Sequence, residues 1–298
     1  MTPADAPTAT TPAPQTIVTE RWDDGRLTVN VAFADWLREQ NLTTCAAFDR
    51  LEPTEVARHV KQRVTARFEF DATVGDPVGG RAFYIKRHGR DPLSEYVKPL
   101  FRLTKPVLGA RPEWDAMLRF HEVGLPTMTP VAFGETGPVG NRRSFVMTES
   151  LEDRERVDHW LADRRDDRTP ETTIQRRALV AEVARLARRL HDAGMHHQDL
   201  YLCHWLLPAK VTRGAGAPGV PSIIDLGRVR CHATLPDRWR IKDLAQIYYS
   251  AGGVPRSDQV RFLRAYLGRP LAAEDRDLVR RVRKKARAIG RHTRRNDL

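Results

Sequence analysis

The sequence predicts a two-lobed α+β protein, with a small β-rich N-terminal lobe followed by a larger helical C-terminal lobe, and three observations predict it. The first is order. Strand-like runs with one short helix precede a stretch of helical periodicity that only a short strand pair interrupts. The second is size, because 298 residues at 41% apolar content are enough for two lobes around one cleft. The third is a pair of acids, Asp199 and Asp225, 26 positions apart and each just beyond a turn of an apolar element. The organisation expected from this is a disordered tail over 1–16, an N-terminal lobe over 17–150 and a C-terminal lobe over 151–298.

Each element has its own signal. Residues 1–16 are rich in Pro, Thr and Ala and lack the basic start and apolar run of a secretory leader. From about Phe48 the pattern turns strand-like. Residues 65–70 alternate, and 81–86 form a second run after the glycine-rich turn 75–80, which reads as a hairpin carrying Lys86 at its end. Pro112 opens a helix to Val123 with Trp114, Met117 and Leu118 on one face, Glu113 in the first turn and Gly124 as the stop. Short strands over 131–134 and 144–147 flank a Gly/Asn turn, and the second leads into a hinge over 147–151. The clearest helix is 172–191, with Leu179, Val183, Leu186, Ala187 and Leu190 in one stripe and Arg177, Arg185, Arg188 and Arg189 largely on a solvated face. The segment 208–221, rich in Gly and Pro, reads as an inserted loop.

Composition excludes several classes. No apolar run approaches the ~20 residues that span a bilayer, and three cysteines, Cys45, Cys203 and Cys231, without CxxC spacing argue against a disulfide framework or structural zinc. A cytoplasmic protein is expected. The 50 Lys+Arg against 38 Asp+Glu, a net +12, point to anionic partners. Much of that charge lies in the C-terminal segment holding Arg280, Arg281, Arg283, Lys284, Lys285, Arg287, Arg291, Arg294 and Arg295, with Leu278, Val282 and Ile289 at helical spacing. No aromatic platform, helix-turn-helix or zinc knuckle accompanies it, so no specific nucleic-acid partner is expected.

Phosphoryl transfer needs a cation on the nucleotide phosphates, a partner for that cation, a base near the acceptor hydroxyl and a carboxylate for the metal. Candidates occur here in the kinase order. Lys86 ends a strand, and Glu113 follows 27 residues later on the next helix. His197-Gln198-Asp199 resembles the His-Arg-Asp catalytic loop of protein kinases, whose Asp takes the hydroxyl proton while the His supports the loop. Asp225-Leu226-Gly227 stands where a metal-binding Asp-Phe-Gly belongs. Five positions after Asp199, where kinases carry a metal-binding Asn, this chain has His204, a poor ligand type for Mg²⁺. His191 and His196 read as bystanders.

Segment 190–207, with its run Tyr201-Leu202-Cys203-His204-Trp205-Leu206-Leu207, closely resembles the catalytic segment of the lipopolysaccharide kinase family, the Kdo/WaaP group. Segments 106–114, 127–135 and 238–244 resemble that family in the same order. The resemblance implies a protein-kinase-like fold, ATP and Mg²⁺ as cosubstrates, and a heptose hydroxyl of the lipopolysaccharide core glycolipid as acceptor. By position it implies that Lys86 and Glu113 fix the ATP phosphates and that Asp199 is the catalytic acid/base. It makes Asp225 the metal ligand with His204 beside it, the backbone of Met147, Thr148 and Glu149 the adenine hinge, and Asp243 a support of the catalytic loop. The basic surface then serves a phosphorylated glycolipid and peripheral contact with the anionic inner face of the inner membrane. Three departures stand out: Gln198 replaces the Arg of His-Arg-Asp, no Gly-rich phosphate loop precedes the strand of Lys86, and Gly227 replaces the His common in close heptose kinases. The missing glycine loop keeps a pseudokinase-like scaffold open beside the enzyme, as does a kinase of another small-molecule or protein acceptor.

Overall fold

The structure, a computed structural model, describes residues 12–60, 63–71, 80–89, 109–138, 141–209 and 219–295. Residues 1–11 of the tail expected over 1–16, most of the glycine turn at 72–79, the start of the family segment at 106–108 and residues 210–218 of the loop expected over 208–221 lie outside the described residues, while Gln15 of the expected tail donates its amide to the His121 carbonyl at 2.9 Å. The chain divides into two compact units, Pro14–Glu122 with Thr127–Glu152, and Val123–Pro126 with Asp153–Leu298.

The first unit is an antiparallel sheet with helices on both faces. In chain order it holds β1 (Thr19–Trp22), β2 (Leu27–Asn30), α1 (Ala34–Glu39), α2 (Cys45–Arg50), β3 (Glu55–Val60), β4 (Arg63–Glu69) and β5 (Ala82–His88). Then come α3 (Arg111–Glu122), β6 (Pro130–Thr136) and β7 (Arg143–Glu149). The seven strands lie in the order β1-β2-β6-β7-β5-β4-β3. The hairpin expected around Lys86 is present, with Thr65 opposite Lys86 and Phe68 opposite Phe83. Its second strand runs on to His88, so Lys86 lies inside β5 rather than at its end.

Alternation along β5 decides where Lys86 points. Phe83 and Ile85, both fully buried, join Trp36, Phe48 and Phe145 in the core under α1 and α2, with Trp36 stacked on Phe83 at 4.9 Å. Lys86 therefore faces the opposite side, where α3 packs through Trp114 against Phe133 of β6. Phe48 is a correction to the sequence reading, which began a strand there. It sits in α2, whose N-cap Thr44 Oγ1 accepts the Ala47 N–H at 3.3 Å, and its ring stacks on Phe145 at 4.6 Å.

The second unit begins with β8 (Arg154–Arg156), α4 (Val157–Asp163) and the long α5 (Pro170–Asp192). Short strands β9 (Met195–His196), β10 (Trp205–Pro208), β11 (Ser222–Ile223) and β12 (Arg230–Cys231) follow, then α6 (Asp237–Ser250), α7 (Arg256–Leu267) and α8 (Asp275–Arg295). α5 forms where its apolar stripe predicts. Thr169 caps it by accepting the Thr172 N–H, Pro170 occupies its first turn, and Leu179, Leu186 and Leu190 are at most 2% exposed. Burying each such leucine contributes roughly 1.5–3 kcal/mol. Of its arginines Arg177 and Arg185 are exposed and Arg176, Arg188 and Arg189 half-buried, with Arg185 and Arg188 paired to Glu182 and Asp192 of the same helix and Arg176 paired to the buried Asp258.

Gly194 ends α5 at φ +74°, and a Cβ there would stand 2.2 Å from the His232 carbonyl oxygen. Only glycine allows the chain to turn this close to the strand beside it. α8 keeps its basic residues exposed, while Val282, Ala286 and Gly290 form the buried stripe and Leu278 and Ile289 are half-buried. Among the described residues no helix is long and apolar enough to cross a membrane.

Candidate active site

The first unit supplies one half of the candidate chemistry. Glu113 is in the first turn of α3 and 3% exposed. Its Oε1 accepts from Lys86 Nζ at 2.7 Å. The pair forms because β5 alternation aims Lys86 at α3 while the first turn of α3 favours an acid. Met147 and Thr148 are buried in β7 opposite Ile85 and Tyr84. The hinge backbone is already partly engaged, since the amides of Glu149 and Ser150 donate to Thr129 O and Ala82 O. The Glu149 carboxylate accepts from Arg81 at 2.6 Å.

The second unit holds the two acids. Asp199 lies on the loop between β9 and β10, and α6 grips that loop from one helical face. Asp243 is fully buried, and its carboxylate accepts from the amides of His197 at 2.7 Å and Gln198 at 3.0 Å. Gln246 donates to the Gln198 carbonyl at 2.6 Å and accepts the Leu200 amide at 2.9 Å. Ser250 Oγ accepts the Leu202 amide at 2.9 Å. Asp243, Gln246 and Ser250 fall at i, i+3 and i+7, so one stripe of α6 holds the whole loop. Burial works against the charge of Asp243, but contact with His191 and the His197 amide outweighs it and holds the carboxyl below its usual range. His191 is thus no bystander, because Nε2 stands 3.4 Å from Asp243 and Nδ1 2.8 Å from the Tyr266 hydroxyl.

His197 joins the two acidic segments. Burial pushes its pKa down and keeps it neutral. Its Nε2 lies 3.1 Å from the Ile224 carbonyl, and the Asp199 amide donates to Nδ1 at 3.3 Å. Those partners fix the tautomer with the proton on Nε2. The Ile224 amide in turn donates to the His204 carbonyl at 3.0 Å. Asp225 follows at φ +61°, and Gln198 sits at φ +72° on the facing loop. Each left-handed non-glycine residue costs of order 1 kcal/mol or more, and the surrounding hydrogen bonds over-determine both.

His204 approaches both acids. Its Nδ1 lies 2.7 Å from the Asp199 carbonyl, and its Nε2 lies 3.8 Å from the Asp225 carboxylate. Burial pushes its pKa down, but contact with Cys203, the Asp199 carbonyl and the charge of Asp225 outweigh that and raise it to about 9. Among the described residues no group of three His, Cys, Asp or Glu side chains is placed to hold a metal ion. Asp225, its side chain 45% exposed, still suits Mg²⁺, which is held by one or two carboxylates plus water and phosphate oxygens.

Sequence reasoning missed Gln246, Ser250 and Arg228. Their signal was present for the first two, as polar residues on one stripe of a helix around buried Leu244, Ala245 and Ile247. Arg228 had none. Its Nη1 donates to both carboxylate oxygens of Asp199, at 2.8 and 3.1 Å.

Kinases carry a strand lysine paired to a helix glutamate, a looped aspartate and a strand-end aspartate in this order, and the class follows from it: a phosphotransferase of the kinase type. The model of the lipopolysaccharide kinase (Kdo/WaaP) family matches residues 50–266. The lipopolysaccharide core heptose(I) kinase WaaP of Pseudomonas aeruginosa is 40% identical over 229 residues, spanning 76% of this chain and 84% of that protein. Its Escherichia coli K12 counterpart is 36% identical over 251 residues, 82% of this chain and 90% of that one. A solved structure, WaaP in complex with acyl carrier protein, aligns with a TM-score of 0.69 at 34% identity, covering 88% of this chain and 98% of that one. The chain belongs to the lipopolysaccharide kinase (Kdo/WaaP) family, and it is an ATP-dependent kinase with the kinase-like α+β architecture expected of it.

Proposed function

We propose that this kinase phosphorylates a heptose hydroxyl of the lipopolysaccharide inner core, with Asp199 taking the hydroxyl proton. The observation that carries the reading is the loop of Asp199, fixed at its amides by Asp243 and Gln246 and at its imidazole by Ile224 O. Lys86, held by Glu113, binds the nucleotide phosphates. The backbone around Met147, Thr148 and Glu149 faces the adenine. Asp225 would hold Mg²⁺, which would neutralise charge on the phosphate oxygens when bound. His204, whose Nδ1 meets the Asp199 carbonyl and whose Nε2 stands 3.8 Å from the Asp225 carboxylate, holds the loop beside the metal position.

The hydroxyl oxygen of the acceptor attacks the γ-phosphorus, its proton passes to the Asp199 carboxylate, and the bond to the ADP oxygen breaks. Purified protein should transfer labelled γ-phosphate to core oligosaccharide, and Asp199→Ala should lower kcat at least ~10²-fold with an unchanged melting temperature. Undiminished transfer by that variant would falsify the assignment.

A carrier-protein partner is the second part of the proposal. The related WaaP structure contains acyl carrier protein, and the helical unit of this chain carries a half-open pocket of about 780 Å³ lined by Leu179, Val183, Leu244, Ile247, Val282 and Ala286, with Arg287, Arg291 and Arg294 also lining it. An acyl chain fits the apolar wall, and the arginines fit an anionic carrier. Co-purification of the full chain with acylated but not unacylated carrier tests it. The basic face of α8 supports peripheral contact with the anionic cytoplasmic leaflet, through charge rather than insertion, because the buried stripe of α8 already packs inward.

A further inference from the structure

Arg228 is anchored by its backbone and exposed at its side chain. Its carbonyl accepts Gln198 Nε2 at 2.9 Å, which ties its backbone to the catalytic loop, while its side chain is 53% exposed and rests on Asp199. As long as Nη1 donates to both Asp199 oxygens, an acceptor hydroxyl must compete with it for the base. Arg228 also sits in a field of positive charge. Lys242, half-buried on α6, makes no ion pair among the described residues and stands 5.7 Å over the Trp239 ring, which Arg238 covers at 5.1 Å. Burial, then the charge of Arg228, pushes the Lys242 ammonium down, with Lys285 of α8 adding to it and Asp199 opposing. Arg230 feels the same Arg228 charge. Against these cations the nearby acids are already engaged: Asp199 by Arg228, and the buried Asp243 by loop amides. Cations gathered around one occupied carboxylate leave room for an anion from outside.

We propose that Arg228 and Lys242 form an anion subsite for a carboxylate or phosphate on the sugar next to the acceptor hydroxyl: Arg228 rests on Asp199, and Lys242 adjoins Asp243, which holds the amides of the same loop. Filling it draws Arg228 off Asp199 and frees the base only when the correct acceptor is in place. This inference rests on the core-heptose reading above. Arg228 and Lys242 act as positioning residues, since the proton still passes to Asp199.

The test compares three acceptors with the full-length protein and Mg²⁺-ATP: native core oligosaccharide lacking the heptose phosphate, the same material with its carboxylates reduced to alcohols, and the same material stripped of remaining phosphates. For the wild type, kcat/KM should fall at least ~10-fold for one modified acceptor, and which one falls names the carboxylate or the phosphate as the group bound. Lys242→Ala should raise KM for the native acceptor while leaving kcat/KM for the neutralised one at the wild-type value, so the two losses are not additive. Lys242→Gln, which keeps a side chain beside Trp239 and removes only the charge, keeps the test open if Lys242→Ala unfolds. Equal wild-type rates on all three acceptors, or variant losses of the same size on each, would overturn the subsite. Transfer to none of them would instead overturn the heptose reading itself.

Discussion

Asp243→Asn removes a negative charge from beneath the loop of Asp199 and turns one acceptor oxygen into a donor. In the wild type, Oδ2 receives the His197 amide at 2.7 Å and Oδ1 the Gln198 amide at 3.0 Å, with no exposure to solvent. Asparagine can satisfy one amide, while its NH₂ faces the other. Losing one hydrogen bond to a charged group costs about 1.5–3 kcal/mol, and making the other neutral costs about half as much again. The sum is about 3 kcal/mol, or roughly 6–12 °C in melting temperature for a unit of this size. The amides of His197 and Gln198 flank Asp199 directly, so kcat should fall by about tenfold as the loop loosens.

Acid titration gives a second readout of the same residue. The folded carboxyl of Asp243 lies below its ordinary value of 3.8. A group whose pKa is depressed by folding contributes stability that is complete above the unfolded value and is lost as pH falls through the folded one. The gap between wild type and Asp243→Asn should therefore be full at neutral pH and narrow only below about pH 3.8. Thermal melts from pH 7 to 3 and initial-rate kinetics measure both. An Asn variant melting within about 2 °C of wild type at neutral pH, with kcat within about twofold, refutes the loop-support argument.

Three further outcomes follow. Lys86→Met leaves Glu113, its side chain 4% exposed, without the ammonium at 2.7 Å. It should cost about 3 kcal/mol and abolish the ~2.7 kcal/mol stabilisation that Mg²⁺-ATP at 100 times its dissociation constant gives the wild type, read by thermal shift. His196 stacks on Trp239 at 4.4 Å, and burial first, with positive neighbours behind it, pushes its pKa from 6.5 down to about 4. The unfolded chain binds that proton before the folded one does, so stability is lost as pH falls from 6.5 to 4; His196→Phe keeps the stack and should flatten melting temperature across that window. Gly194→Ala places a methyl 2.2 Å from the His232 carbonyl oxygen at φ +74°, and chemical denaturation should show a loss above about 2 kcal/mol.

What the sequence made legible follows from which signals are local. The α5 stripe, the β4–β5 hairpin and the α3 amphipathic turn each express one period over one window, and all three elements are present. Lys86, Glu113, Asp199 and Asp225 were visible because their order along the chain is itself information. β1, β2 and the short α1 escaped because elements of four to six residues carry too little pattern, and Phe48 was misread because one helical turn and a strand start share the same apolar composition. Arg228 escaped for a different reason. Its contact with Asp199 spans 29 residues, a separation that no local pattern reports.

The geometry of the second unit also explains why the interval between the two acids need not match that of other kinases. Register at its two ends is set by hydrogen bonds rather than by chain length. His197 reaches the Ile224 carbonyl, the Ile224 amide reaches the His204 carbonyl, and Trp205 pairs with Ile223 across β10 and β11. Lengthening a connection outside such a clamp costs only about 0.6 kcal/mol per doubling of the loop. The Gly- and Pro-rich run at 208–221 can therefore vary while Asp199 and Asp225 keep their places. His197 is then more than a prop for the base. As a buried side chain bonded to both acidic segments, it transmits a displacement of one segment to the other, and its neutrality matters because protonated Nδ1 would repel the Asp199 amide that now donates to it.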